Sequence, residues 1–585
     1  MKISSLVLVS SILAVSCSEA SHAPVSQLKE ETDKNSSMDQ LGDIGTPTYD
    51  ALIKTTKVQT KRLPWVDTYW ALTEQGLSRR WSKKTKKLGM ADFFESQTKQ
   101  DKEVKVDPTL SPADKYDILF RWRHNIEIDA DKTAALIKGW ETLDTQLDLS
   151  PEPQAFKKTL ALTLSDLRSP ALADFRKQFP MSSDGWNTWL SYSSQDEYML
   201  FDDKKSGDDW SWMGSCHGWS PAALMEETPK HSVLAKIDKQ EVLVTEGDLR
   251  GLLTKSWADH SPRKQQYFVG RRCEKNAADP VGDVPHGEDG RGFYGNITFD
   301  GKEQGFYVRS EIVPGFVNGN QRVYPLSYEG SGDTQDYLLE TYSSKNGYTY
   351  VSGKSVEALR AYAVDGDKSQ IKVPGKVEML GCWDVNPATF HMALLQKIGK
   401  ENTGLVMDRT RTGQVWNQPV FSAAFTFGDR VLRSQAVEDK FHSDMARSLL
   451  VVEAKVKWIG EPSEQQMTYT RKFDEGQVVT STYTYQLEFD RKDQLIGGEW
   501  ISLAMDSENP LAKPSVIYDP KQVTPDFLFG FSVGSKPVDN VAQGFDYSGI
   551  VDQLHKCSLS DKIDGSVKVG DKTIQYSNCV LTKAP

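Results

Sequence analysis

The chain contains no apolar run long enough to cross a bilayer; its most apolar stretch, Ile3 to Val15, falls well short of the roughly 20 residues a spanning helix needs. It also lacks a basic block. Its 70 Lys and Arg are outnumbered by 81 Asp and Glu, giving a net charge of −11, which argues against nucleic acid as a partner. Zinc-ligand spacing, a phosphate-cradling loop and a dinucleotide fingerprint are all missing. Cysteine is scarce, with six in 585 residues, at 17, 216, 273, 382, 557 and 579. Core material is not scarce: 38% of residues are hydrophobic and 15 are Trp, which excludes a largely disordered chain. The length calls for about two to four domains.

Lys2 followed by Ile3 to Val15 reads as the core of a secretory signal. It ends Leu13-Ala14-Val15-Ser16-Cys17, which is similar to a bacterial lipobox. Residues 1–16 are therefore expected to be removed and Cys17 to carry lipid, so that a membrane is a partner through the N-terminus. Ser18 beside it points to the cell envelope, at an outer membrane or the surface. Cleavage after Ala20 or Ala23 would instead release a secreted protein. Residues 17–60 are polar and read as a flexible tether.

Leu63 to Trp81 carries aromatic and aliphatic residues at helical spacing and is expected to open the folded part. A clearer start follows at Ser111, Pro112 and Asp114, which supply a cap, a first-turn proline and a capping box. Tyr116, Leu119, Phe120 and Trp122 then form the helix's buried face. Lys132 to Leu143 and Phe156 to Leu167 are also periodic, so 61–200 reads as a mainly helical N-terminal region. Residues 201–440 mix strands, glycine-rich loops and a few helices, without the regular alternation of a doubly wound sheet. Beyond 441 the pattern becomes strict alternation: Val452, Ala454, Val456 and Trp458 against Glu453, Lys455 and Lys457, then Tyr483, Tyr485, Leu487 and Phe489 against Thr484, Gln486 and Glu488. Asp490 to Asp493 reads as the turn that follows. The fold class expected is α+β, with a helical N-terminal region, an α+β core and an antiparallel β-rich region over 441–585.

Chemistry concentrates at Gly214-Ser215-Cys216-His217-Gly218-Trp219-Ser220-Pro221. Ser220-Pro221 predicts a helix start, with Cys216 in the turn before it or in an irregular first turn. That position favours a thiolate and an oxyanion, through the helix dipole and the first backbone N–H groups. A structural or disulfide role competes evenly in a secreted protein. The flanking glycines tilt the balance to a nucleophile, because they let a substrate backbone approach. Trp210, Trp212 and Trp219 are candidate walls of an apolar tunnel for a lysine stem, with core packing as the competing role and an oxyanion contact as a further one for Trp212.

A thiol nucleophile needs a base. His391 follows Asn386-Pro387, a cap and a first helical position, on a helix that Gly399 should end, beside a stripe of Phe390, Ala393, Leu394 and Ile398. A lone histidine there is more often a core residue than a catalyst. Asp408 ends a short apolar strand and could orient the histidine; a surface turn or an ion pair with Arg409 or Arg411 competes, and Asp384 is a rival. With Cys17 assigned to lipid and Cys216 to catalysis, four cysteines remain for two disulfides. Proximity pairs Cys557 with Cys579, and Cys273 with Cys382 follows by elimination.

Several separated motifs resemble the transglutaminase elicitor proteins of oomycetes and their bacterial relatives: SPADKY at 111–116, GSCHGWSPAAL at 214–224, CWDVNPATFHMAL at 382–394, VMD at 406–408, VWNQPV at 415–420, WIGEPSEQ at 458–465 and GGEWIS at 497–502. The resemblance runs from about 105 to 530. It implies a protein-glutamine γ-glutamyltransferase with a triad of Cys216, His391 and Asp408, acting on protein substrates with accessible Gln and Lys. The thiolate would take the glutamine acyl group, releasing ammonia, and a lysine amine would close an isopeptide crosslink. VWNQPV resembles the core of the surface peptide that plants perceive in the oomycete enzymes. His391 departs from thiol proteases and animal transglutaminases, which place the base on a strand. A papain-like cysteine protease, amidase or deamidase could use the same residues, and a surface lipoprotein with an inactive site, acting as a binding module, stays open. No cofactor is required. For calcium, Asp202, Asp203, Asp208, Asp209 and Asp365-Gly366-Asp367 are the candidates, though their spacing fits solvated turns better.

Overall fold

The computed structural model describes residues 47–82, 97–100, 103–135, 138, 175–185, 188, 212–270, 293–308, 321–328, 336–343, 347–382, 385–409, 415–436, 446–504, 515–517 and 524–584. The signal and most of the tether, with Cys17, lie outside these residues, as do Phe156 to Leu167 and all but 132–135 and 138 of the stretch from Lys132 to Leu143.

Local signals act as expected where they are strongest. Ser111 accepts from the Asp114 N–H at 3.0 Å and Asp114 accepts from the Ser111 N–H at 3.2 Å, starting the helix Pro112–Arg123. Tyr116, Leu119 and Phe120 are buried on it, whereas Trp122 is half-buried and donates its indole N–H to Asp238 at 2.7 Å.

Leu63 to Trp81 is not a helix. It runs extended, with two single 3₁₀ turns at Leu72–Glu74 and Gly76–Ser78. Trp70 and Gln75 take φ values of 51° and 69°, which no right-handed helix accommodates. Two of its three indoles are held separately instead: Trp70 donates to Asp67 at 2.8 Å and Trp81 to Asp248 at 2.8 Å. The aromatic spacing therefore follows the pockets those rings fill rather than a helical face.

The main sheet has eight strands among the described residues. Its order is Leu495–Trp500, Val478–Phe489, Ser448–Ile459, Asn417–Leu432, Leu405–Asp408, Phe527–Phe531 and Gln266–Gly270, with Lys57–Gln59 also paired to Asn417–Leu432. Every pairing in it is antiparallel, and it draws strands from both sides of residue 440. Strand alternation separates two hydrophobic layers. Leu405, Met407, Val420, Ala423 and Phe425 enter one, together with Val452, Ala454, Val456, Trp458, Tyr483, Tyr485, Leu487 and Phe489. Val406, Phe421, Phe527, Phe529 and Ile459 enter the other. The polar alternates behave differently along the sheet: Lys455 and Lys457 are exposed, but Gln486 and Glu488 are buried. The Asp490 carboxylate accepts from the Lys492 N–H at 2.8 Å, making the expected turn.

Seven further strands between Phe293 and Cys382 form a second antiparallel sheet. A four-stranded sheet ties the C-terminus back to the core through a parallel pairing of Lys572–Val580 with Ser232–Ile237. Cys557 and Cys579 form the expected disulfide, with Cα atoms 5.8 Å apart. Cys382 ends the strand Lys376–Cys382, and Cys273, its expected partner, lies outside the described residues. Among the described residues no helix is long and apolar enough to cross a membrane.

The helix Glu246–Asp259 starts at a Thr245–Asp248 capping box and carries Arg250, which is 1% exposed. Its guanidinium grips both oxygens of Asp474 at 2.8 and 3.1 Å and lies 3.8 Å from the centre of the Tyr469 ring. Asp474 also accepts from the Val66 N–H at 3.0 Å. Replacing Arg250 with Met leaves the Asp474 carboxylate buried without its countercharge. Denaturant unfolding of Arg250→Met is expected to show a loss of about 3–5 kcal/mol.

Candidate active site

Cys216 is the first residue of the helix Cys216–Met225, so the helix begins five residues earlier than a start at Pro221 predicts. Pro221 sits inside it, where the hydrogen bond it cannot make falls in the first turns. The turn closes on Ser215, whose carbonyl accepts from the N–H groups of Gly218 and Trp219, both at 2.9 Å. Among the described cysteines Cys216 is the free thiol, and it is 1% exposed.

The neighbours of the sulfur come from the VWNQPV segment. Asn417 Nδ2 lies 3.6 Å from Cys216 Sγ, and the Val415 carbonyl oxygen is 3.8 Å away. Ser220 Oγ, one turn along the helix, donates to the Asn417 carbonyl at 2.7 Å and fixes the strand against the helix. This segment is no surface peptide here: Val415, Asn417, Gln418, Pro419 and Val420 are buried, and Trp416 alone is half-buried. It forms an inner strand because Leu405–Asp408 and Ser448–Ile459 flank it on both sides.

The glycines beside Cys216 serve the protein's own packing. A Cβ on Gly214 would lie 2.2 Å from the Tyr69 carbonyl oxygen, and one on Gly218 would lie 2.3 Å from that of Thr254. The close approach expected for a substrate is thus made by the chain itself. Trp219 is fully buried and donates its indole N–H to the Trp65 carbonyl at 3.2 Å, which makes it a core residue. Trp212 joins the same layer at 9% exposure, and Trp210 lies outside the described residues. The half-buried aromatics near the thiol are Tyr69 and Trp416, which meet edge to face at 5.9 Å.

His391 stands on the helix Pro387–Ala393, capped by Asn386 as expected; Gly399 does not end it, since the chain continues as the π-helical turn Leu394–Lys400. The imidazole is fully buried in the layer opposite Cys216. Its Nδ1 is 2.6 Å from the Tyr485 hydroxyl, its ring is 4.4 Å from that of Phe425, and Nε2 has no hydrogen-bond partner. The main sheet stands between His391 and Cys216. Burial pushes the imidazole's pKa down to about 3.

Asp408 does reach the Cys216 side. It pairs with Asn417 in the strand register, so both project from the same face, and its Oδ1 accepts from the Trp416 N–H at 3.1 Å. It is fully buried rather than on a surface turn. Arg409 stacks over Trp458 at 4.2 Å, and Asp384 and Arg411 lie outside the described residues. Among the described residues no group of three His, Cys, Asp or Glu side chains could hold a metal ion. Asp202, Asp203, Asp208 and Asp209 lie outside them, and the Asp367 carboxylate accepts from the N–H and hydroxyl of Ser369.

The structure therefore joins Cys216 with Asn417, places Asp408 beside Asn417, and leaves His391 in the other layer. Asn417 is the site residue that the sequence reading missed, although VWNQPV had already drawn attention to it. Strand alternation next to Asp408 was the signal that could have found it.

Residues 360–554, about a third of the chain, match the transglutaminase elicitor family. The matched residues include His391, Asp408 and Asn417 and leave out Cys216. A solved structure, the GP42 transglutaminase from Phytophthora sojae, is 17% identical and covers 89% of this chain and 95% of its own, with a TM-score of 0.42. A search of curated proteins found no match.

The buried imidazole has a pH consequence. His391 is neutral in the folded state down to about pH 3, whereas an unfolded histidine takes up a proton below about 6.5. The unfolded state therefore binds more protons between these values, and stability falls with falling pH by up to about 1.4 kcal/mol per unit. His391→Gln removes that contribution. Urea unfolding at a series of pH values should show a flatter acid limb in the variant, and an unchanged limb would contradict the neutral, buried state.

Proposed function

We propose that the chain is a protein-glutamine γ-glutamyltransferase with Cys216 as its nucleophile. One observation carries this reading: the buried thiol at a helix N-terminus makes a side-chain contact with Asn417, a residue of the segment that matches the transglutaminase elicitor family. The helix dipole there favours the thiolate. In the proposed reaction the sulfur attacks the γ-carboxamide carbon of a protein-bound glutamine, a C–S bond forms, and the C–N bond breaks as the departing nitrogen takes a proton from solvent and leaves as ammonia. A lysine amine then attacks the thioester, forming the isopeptide and loses a proton as the thiolate departs. Tyr69 and Trp416 are the aromatic groups placed to flank an acyl chain near the sulfur. Asp408 supports the same side of the sheet, and no proton-transfer step is assigned to His391, whose observed place is across it.

Cys216→Ala should abolish incorporation of a primary amine into a glutamine-containing acceptor; retained incorporation would sink the proposal. Release of ammonia without amine incorporation would instead assign hydrolysis, the deamidase or amidase reaction, to the same thiol. The reading includes anchorage at the cell envelope through lipid on Cys17. A diacylglyceryl mass on the N-terminal peptide of the membrane fraction is expected, and an unmodified terminus after Ala20 or Ala23 would replace anchorage with secretion.

A further inference from the structure

We infer that Asn417 is a catalytic residue for this thiol: its side-chain amide donates to the Cys216 sulfur and holds it as the thiolate. The inference deepens the proposed reaction and rests on Cys216 being its nucleophile. Three features of the site support it. Asn417 Nδ2 lies 3.6 Å from Sγ, within hydrogen-bonding range for sulfur. The side chain is fully buried, and its Oδ1 has no hydrogen-bond partner. A buried amide with an orphaned oxygen is costly, so packing alone does not account for an asparagine at this strand position. The link between strand and helix does not need the side chain either, since Ser220 Oγ bonds to the backbone carbonyl of Asn417.

Two neighbours of the sulfur among the described residues suit different protonation states. The Val415 carbonyl can accept only from the S–H of the thiol, and its oxygen repels a thiolate. The Asn417 amide strengthens its bond when the sulfur is charged, because a donor to an ionised acceptor is roughly twice as strong as one to a neutral acceptor. Ionisation, with the proton released to solvent, shifts the sulfur's main interaction from Val415 to Asn417. Burial opposes the charge, and the amide and the helix N-terminus offset it.

The test is the pH dependence of iodoacetamide alkylation at Cys216, read by mass spectrometry of its peptide in the full chain. The wild-type midpoint is expected below the roughly 8.5 of a free cysteine; a midpoint at or above that value overturns the inference without recourse to any variant. Asn417→Ala removes the donor. Asn417→Asp keeps the shape and puts a carboxylate in its place. Both should move the midpoint up, by about one unit or more, so that alkylation at neutral pH slows about tenfold for each unit. The larger shift is expected in the Asp variant, because of charge repulsion. An unmoved midpoint in a variant with the wild-type melting temperature also overturns it. The readout needs no turnover: a shifted midpoint without amine incorporation sinks the transferase reading alone, and incorporation with an unmoved midpoint sinks the role of Asn417 alone.

Discussion

The buried pair of Arg250 and Asp474 holds together parts of the chain that are far apart in sequence. Asp474 takes both guanidinium nitrogens and the Val66 N–H, while the Val66 carbonyl accepts from Arg250 as well. Three pieces meet at this pair: the entry segment, the helix Glu246–Asp259, and the turn before the strand Val478–Phe489. The same helix presents Thr254 and Ala258 to Gly218, close enough that no side chain fits between. The position of the Cys216 helix is thereby referred to the Arg250 helix, and through it to the sheet. Two buried charges need not add net stability, since desolvation opposes their attraction. Their directionality sets how the three pieces are arranged.

The main sheet divides the chemistry. Its alternation sends Asn417 and Asp408 toward Cys216 and sends Gln418 and Met407 the other way, toward the layer that holds His391. A histidine in an aromatic nest, with its pKa pushed down to about 3, is suited to packing. The described surroundings of the thiol include a carbonyl, an amide and a helix N-terminus.

Much of the fold could be read residue by residue. The Ser111 capping box and the Asn386-Pro387 start depend on neighbours two or three residues away, and they form as expected. The alternation from Val452 to Trp458 and from Tyr483 to Phe489 also needed only its own period of two. The site was less legible. Gly214 and Gly218 looked like openings for a substrate, yet their space is taken by Tyr69 and Thr254, residues that no local pattern connects to them. The aromatic spacing of Leu63 to Trp81 imitated a helix because pockets supplied by Asp67 and Asp248 hold two of its indoles in an irregular path.

The sequence by itself determined the helix caps, the strand faces, the pairing of Cys557 with Cys579 and the choice of Cys216 as the free thiol. These follow from short-range geometry and from counting. Only the tertiary structure decided which groups surround that thiol. One strand carries Asn417 and Gln418 as neighbours and sends them to opposite layers, so distance along the chain says nothing about which side of the sheet a neighbour of the thiol occupies. His391 and Cys216 stand on helices packed against opposite faces of that sheet, whereas Asn417 and Cys216 are joined although they are 201 positions apart in the sequence.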